Sequence, residues 1–249
     1  MHNFQTFYEG YHKNRLLPKR IIGKKDFTYR HIVGVLDKFC LAKNVLDIGS
    51  GVGTLDFYLA QKGHQVIGVE ISQRAVTIAR QAQQLFGLTK KIKFIRGDFF
   101  ELKTREQFPF VICSEVLEHL EDDQAAVRKI YRLIKPGGQL LVTVPSQNAP
   151  LIKLGAIKKF DKVSGHLRRY TLASLTALLK EAKLKVIYSA KTEGLLRNSL
   201  FVFKSGNQLI RLANRFAVIS DLFTWLDNIT LKLLGESQLI IVAKAVRKV

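Results

Sequence analysis

Between Cys113 and Asp123 the chain reads CSEVLEHLEDD, a short stretch that gathers Glu115, Glu118 and His119. If the chain is helical from Val116 onward, residues 115, 118 and 119 stand at i, i+3 and i+4 and share one face. Two carboxylates and an imidazole converging on a point repel one another, titrate away from their ordinary values, or hold something positive. The concentration of acid runs against the bulk charge, since 40 Lys and Arg stand against 20 Asp and Glu.

A second set of acids is spaced along the chain. Asp47 opens DIGSGVG, whose glycines permit tight backbone angles and let a ligand approach the main chain. The spacing G-x-G-x-G differs from the G-x-G-x-x-G of dinucleotide folds. A carboxylate beside the turn would repel a pyrophosphate and suits a ligand carrying an ammonium or sulfonium. Glu70, at the end of QVIGVEI, is placed to accept from both hydroxyls of a ribose diol. Asp98, closing IKFIRGD, is placed to reach an adenine amino group. Singly, each of these acids reads as a solvated strand-end residue. Together they mark the carboxyl ends of successive strands, where ligands of open α/β sheets bind.

These positions need a frame, and the hydrophobic pattern supplies one. NVLDIG (44–49), QVIGVEI (65–71), IKFIRGD (92–98), FPFVICS (108–114) and GQLLVTVP (138–145) read as strands. Between them lie the helical stretch 54–63 closed by Gly63, a helix capped by Ser72 that runs to about Phe86, and the amphipathic EDDQAAVRKIYRLIKPGG. Further strands are expected at 185–190 and 238–246, with a helix after Thr171. The alternation predicts a doubly wound, mainly parallel sheet. Residues 195–235 form an apolar, helix-patterned insert before the last strand.

At this point the chain resembles the class I S-adenosylmethionine-dependent methyltransferases. VLDIGSGVG resembles the family's first motif, VIGVEIS its second, RGDFF its third, FPFVICSEVLEHL its fourth and LIKPGGQLLVTVP its fifth, in the family's order. The resemblance covers residues 44 to about 190. It implies a Rossmann-like seven-stranded sheet whose last strand is antiparallel. It also implies that Asp47, Gly49, Ser50, Gly51, Glu70, Ile71, Asp98, Phe99 and Ser114 bind S-adenosylmethionine. E-x-x-E-H followed by a later histidine is similar to two metal-assisted subfamilies, the O-methyltransferases of ubiquinone biosynthesis and the small-RNA 2′-O-methyltransferases. By that likeness Glu115, Glu118, His119 and His166 are the catalytic residues, and the same four would hold a divalent cation such as Mg²⁺, Mn²⁺, Fe²⁺ or Zn²⁺. The metal-free reading has the glutamates capping a helix and lining a pocket, with His119 as base or local hydrogen-bonding group.

Composition bounds the partners. The chain has 249 residues, a net charge of +20 and two cysteines. The charge favours anionic partners, either nucleic acid or an acidic bilayer surface. Two cysteines leave no disulfide framework and suggest a reducing compartment. No apolar run approaches the roughly 20 residues of a membrane span, and the first residues lack a signal peptide's apolar core, so a cytoplasmic protein is expected, peripheral at the membrane if it meets one. Basic residues gather in 1–43 and in 151–169, flanking the expected mouth. Residues 1–43 are expected to form a lid over a methyltransferase domain spanning 44–249. The insert mixes Phe201, Phe203, Phe216, Phe223 and Trp225 with Arg197, Lys204, Arg211 and Arg215. That mixture suits an interfacial helix pair, a wall for a greasy substrate, a dimer contact or extra core. The expected function is O-methylation of a small or lipid-like hydroxylated acceptor. Methylation of RNA, on ribose or base, is the first alternative, and a non-catalytic cofactor-binding module the second.

Overall fold

The computed structural model describes residues 2–13, 15–153, 155–203 and 206–246, so Lys204 lies outside the described residues. Seven strands form one sheet: β1 (Asn44–Ile48), β2 (Gln65–Glu70), β3 (Ile92–Arg96), β4 (Phe108–Ser114), β5 (Ile134–Pro145), β6 (Leu184–Thr192) and β7 (Gln238–Ala245). Their order is β3-β2-β1-β4-β5-β7-β6. The first five pair in parallel, and β7 runs antiparallel between β5 and β6. This is the doubly wound sheet expected, with its antiparallel last strand.

The central strands are buried on both faces, which explains their unbroken apolar runs. Leu46, Ile48, Val111, Cys113 and Val142 belong to one cluster, whereas Val45, Phe110, Ile112 and Leu141 belong to another on the opposite face. Helices cover both sides: α1 (His2–Tyr11), α2 (Arg30–Phe39), α3 (Thr54–Gln61), α4 (Gln73–Leu85), α5 (Asp123–Leu133), α6 (Pro150–Lys153), α7 (Lys158–Ser164) and α8 (Leu172–Glu181). Within 1–43, α2 buries Ile32, Val33, Val35 and Leu36, so that part of the segment is core.

The insert folds as α9 (Leu195–Val202), α10 (Gly206–Arg215) and α11 (Ala217–Leu234). It packs around Phe27 through Leu200 and Ala213. Arg197 is fully buried in that joint. Its guanidinium lies 3.9 Å from the Phe27 ring centroid and its Nη1 donates to the Phe27 carbonyl. Asp227 of α11 accepts from the backbone N–H of Gly194 and Arg197 at 3.0 and 2.8 Å, tying α11 to the start of α9.

One local expectation fails. The chain after β4 is not α-helical from Val116. Glu115 is left-handed (φ 55°), Leu117–His119 forms a single 3₁₀ turn, and α5 starts only at Asp123. The parallel register with β5 carries the chain to Ser114, and Glu115 N–H still donates to the Thr143 carbonyl at 2.9 Å, so the chain must turn sharply to clear the strand end. The other residual difference is at β5, which begins at Ile134 and takes in Lys135–Gly138.

Candidate active site

Parallel strands pointing the same way bring the ends of β1, β2, β3 and β4 to one edge, where the strand order reverses between β1 and β4. A cavity of about 1180 Å³ opens there. Asp47, Gly49, Ser50, Gly51, Glu70, Ile71, Asp98, Phe99 and Ser114 all line it, as do Glu115, His119 and His166. Glu118 lies fully buried behind His119.

The glycine turn is sterically required. Gly49 is left-handed (φ 73°), and a Cβ there would stand 2.4 Å from Val116 Cγ2. Gly53 is left-handed too, with the Phe94 ring 2.6 Å from the position of a Cβ. Glu70 holds the turn in shape, accepting from Gly51 N–H at 2.9 Å and Ser72 N–H at 2.8 Å. Burial raises its pKa, against the pull of those two N–H groups. Asp98 caps its own 3₁₀ turn by accepting from Phe100 N–H at 2.8 Å. Ser114 Oγ bonds Thr143 Oγ1 at 2.8 Å.

The sequence reading missed Asp56, which α3 buries completely beside Asp47. Burial first, then the charges of Asp56 and Glu70, raises Asp47 well above the carboxylate range. Burial pushes Asp56 up to about 7. The two carboxyls share a hydrogen bond, which raises Asp47 and lowers Asp56. This acidic pocket favours a cationic ligand. It also has a cost for the folded chain. The unfolded carboxyl titrates near 3.8 and the folded one near 7, so the folded state holds the extra proton between them and stability falls as pH rises through that window. Asp56→Asn is therefore expected to melt higher than wild type by roughly 3 °C or more at pH 8 and to match it at pH 4. Parallel melting curves across pH would refute the buried charge.

At the other lobe, structure and expectation differ in how the cluster is built. One ligand atom each from Glu118, His119 and His166 lie within 4.8 Å of one another. Glu115 stays outside that group, its Oε1 accepting from Thr143 Oγ1 at 2.8 Å and Gln238 Nε2 at 3.2 Å. His119 Nδ1 donates to the Gly165 carbonyl at 3.1 Å. His166 Nδ1 faces Asp161 Oδ1 at 2.9 Å. A carbonyl only accepts, and a carboxylate held by Arg169 accepts as well, so both rings carry a proton on Nδ1 and turn Nε2 away from those partners. Burial opposes ionisation of Asp161, but its bonds to His166 and Arg169 win and lower it to about 2. Burial lowers His119 to about 4, so the ring is neutral near pH 7.

Glu118 completes the set. Its carboxyl faces that of Glu115, and His119 Nε2 stands 3.6 Å from Oε1. Burial, then the charge of Glu115, raises its pKa well above the usual range. A buried carboxyl beside two imidazoles whose rings are oriented by outer partners is the donor set of a divalent cation site. Glu118, His119 and His166 fit such an ion.

Helix α1 lies across the opening. Phe7 packs against Gly165, Tyr8 meets His119 edge-on at 5.6 Å, and Tyr11 and His12 line the cavity. Burial, then the charges of Glu118 and Glu70, keeps Tyr8 a neutral phenol between the two lobes. Glu9 accepts from Gln73 N–H at 2.5 Å and Arg74 N–H at 3.2 Å, capping α4 alongside Ser72. Glu193, left-handed and raised to about 8 by burial, lines the far wall with Asn198, Phe201, Val202 and Ile210. Nothing in the sequence pattern singled out Glu9, Asp161, Thr143 or Glu193; Glu9 and Thr143 act through neighbours distant in the chain, and Asp161 through the irregular turn that brings it back to His166 and Arg169.

Comparison with known proteins gives three findings. The methyltransferase domain family matches residues 15–189. A ubiquinone biosynthesis O-methyltransferase of Pseudomonas entomophila is 33% identical over 115 residues, 46% of this chain and 50% of that protein. The chain thus spans about half the length of the curated relatives it matches. Among solved structures, the magnesium protoporphyrin IX methyltransferase from Synechocystis PCC 6803 with bound SAH aligns at TM-score 0.62 and 18% identity, over 98% of this chain and 94% of that one. The cyclase SpnF aligns at TM-score 0.64 and 21% identity, over 88% and 82%. These structural likenesses are likenesses of fold, and a fold does not fix the chemistry done on it. Among the described residues no helix is long and apolar enough to cross a membrane.

Proposed function

Because the chain belongs to the class I S-adenosylmethionine-dependent methyltransferases, we propose that it methylates a hydroxyl oxygen on an acceptor with an apolar body. The observation that carries this reading is the pair of anchored imidazoles, backed by the buried Glu118, in the cavity that the glycine turn and Glu70 also line. A sulfonium methyl needs only an in-line nucleophile and somewhere for the acceptor's proton to go. Transfer forms an O–C bond as the methyl–sulfur bond breaks. The products are a methyl ether, S-adenosylhomocysteine and the proton taken from the hydroxyl.

In this proposal Glu70 accepts from the ribose hydroxyls, Asp98 meets the adenine, and Asp47 places negative charge on the cationic end of the cofactor. Ser114 and the turn residues Gly49, Ser50 and Gly51 shape the floor, with Ile71 and Phe99 flanking the adenine. His119 and His166 orient the acceptor hydroxyl and, with no cation on the cluster, His119 Nε2 takes its proton. Glu118, His119 and His166 would hold a divalent cation, and when bound it would lower the pKa of the hydroxyl. Glu115, beside Glu118 and pinned by Thr143 and Gln238, keeps the approach to the cluster in shape. Phe160, Phe201, Val202 and Ile210 offer the acceptor an apolar wall, which supports a lipid-like body. Radiolabelled methyl transfer into fractionated cell extract tests the proposal. Label in an ether of an apolar fraction is expected, and label confined to RNA would overturn the choice of acceptor.

We assign α1 the role of a lid clamped by Glu9 on the amino end of α4. Losing a helix cap costs about 1 kcal/mol. Glu9→Ala is therefore expected to release S-adenosylhomocysteine about fivefold faster in stopped-flow measurements. An unchanged rate would show that α1 is a fixed wall.

A further inference from the structure

Helix α11 has two apolar sides, and the fold uses only one. Its inner side turns Ile219 and Phe223 toward Phe27 and buries Ser220, Thr224 and Asp227. Val218, Leu222, Trp225, Leu226, Ile229 and Leu233 recur at helical spacing and are exposed, Val218 at 80%, Trp225 at 60% and Leu233 at 76%. A surface helix ordinarily shows polar residues there. α10 packs beside α11, and Leu209, Leu212 and Phe216 extend the exposed surface. Scattered exposed leucines need no explanation, but a stripe along a whole helix marks a contact.

Charge identifies what the stripe meets. Basic residues from separate segments surround its amino end. Arg211 and Arg215 are exposed, and the Arg215 guanidinium stands 5.4 Å from the Phe216 ring centroid. Arg20 donates to the Asn214 carbonyl at 2.9 Å, and the Lys25 carbonyl accepts from Ser220 Oγ at 2.6 Å, so the exposed side chains of Arg20, Lys24 and Lys25 belong to the same end. Arg20 pairs with Asp26, Lys24 with Asp37, and Lys25 and Arg30 with Asp221, whereas Arg211 and Arg215 form no ion pair among the described residues. Two copies of a chain with net charge +20 meeting face to face would oppose one another, whereas an anionic surface attracts each. An apolar stripe with a tryptophan in its middle and bases at its end is the pattern of a helix lying in the plane of a bilayer interface.

We infer that the α10–α11 face docks on an anionic lipid bilayer. The docking does not depend on which acceptor is methylated. It nevertheless sets α9 and α10, whose Phe201, Val202 and Ile210 line the cavity, between the lipid and the active site.

Trp225 is the only tryptophan, so its emission reports on this surface directly. Vesicles of equal parts phosphatidylglycerol and phosphatidylcholine are expected to shift it to the blue and to quench it when the acyl chains are brominated. Pure phosphatidylcholine vesicles should produce a much smaller change, and added salt should reverse binding in part. Leu222→Ser with Leu233→Ser should weaken partitioning roughly tenfold or more. Arg211→Gln with Arg215→Gln should weaken it by a similar factor. Unchanged S-adenosylmethionine affinity would verify that both variants are folded. Emission indifferent to anionic vesicles would overturn the inference, as would equal partitioning of the variants. So would a stable dimer in sedimentation whose Trp225 emission is already blue and ignores lipid, which would make the stripe a contact between copies.

Discussion

Replacing His119 with alanine is expected to lower methyl transfer roughly a hundredfold or more while S-adenosylmethionine affinity stays within about twofold of wild type. The asymmetry follows from position. His119 sits just beyond β4 with Nδ1 committed to the Gly165 carbonyl and Nε2 turned to Glu118, whereas Glu70 closes β2 and holds the glycine turn. In the proposed complex it meets the acceptor and not the ribose. Dialysis against a chelator separates its two possible duties. Turnover that disappears and returns with Mg²⁺ or Mn²⁺ supports a cation on Glu118, His119 and His166. Manganese binding by calorimetry, present in wild type and lost in His166→Ala, supplies a readout besides activity. Turnover indifferent to chelator leaves proton removal to the imidazole alone. A His119→Ala enzyme with normal turnover would reduce the cluster to a pocket wall.

Glu70→Ala should produce the largest loss of cofactor affinity, about 1–3 kcal/mol, or roughly fivefold to 150-fold. Its carboxylate has two tasks in the proposed complex. It already receives the N–H groups of Gly51 and Ser72, and its remaining lone pairs would receive the ribose hydroxyls. Removing it therefore loosens the glycine turn as well as the ligand. Asp47→Ala should weaken binding to a comparable extent by removing charge opposite the sulfonium. Asp98→Ala should matter less, since its Oδ1 already accepts from Phe100 N–H and the adenine also gains from apolar stacking. Wild-type affinity by calorimetry in both Glu70→Ala and Asp47→Ala would refute the assignment of this lobe.

What the sequence by itself determined was everything written in local period and order. Unbroken apolar runs marked strands buried on both faces, Ser72 and Thr171 marked helix starts, and DIGSGVG marked a turn that only glycine can make because Val116 and Phe94 crowd it. Parallel strands then place Asp47, Glu70, Asp98 and Ser114 at one edge without further information, and all four line the cavity. What tertiary structure decided was each convergence of side chains far apart in the chain. Glu118 and His119 meet through a left-handed residue and one 3₁₀ turn in place of the expected helical face, because Glu115 is still held to β5 when the chain must leave the sheet. His166 joins them only because Gly165 and Asp161 fix both rings from a segment beyond β5. Asp56 carries no signal in the sequence, and only the packing of α3 buries it against Asp47. For α11 the sequence showed an apolar helix and left open which side faces the core. That side was chosen by Phe27 and by the buried Arg197–Asp227 pair, and their choice left Trp225 facing outward.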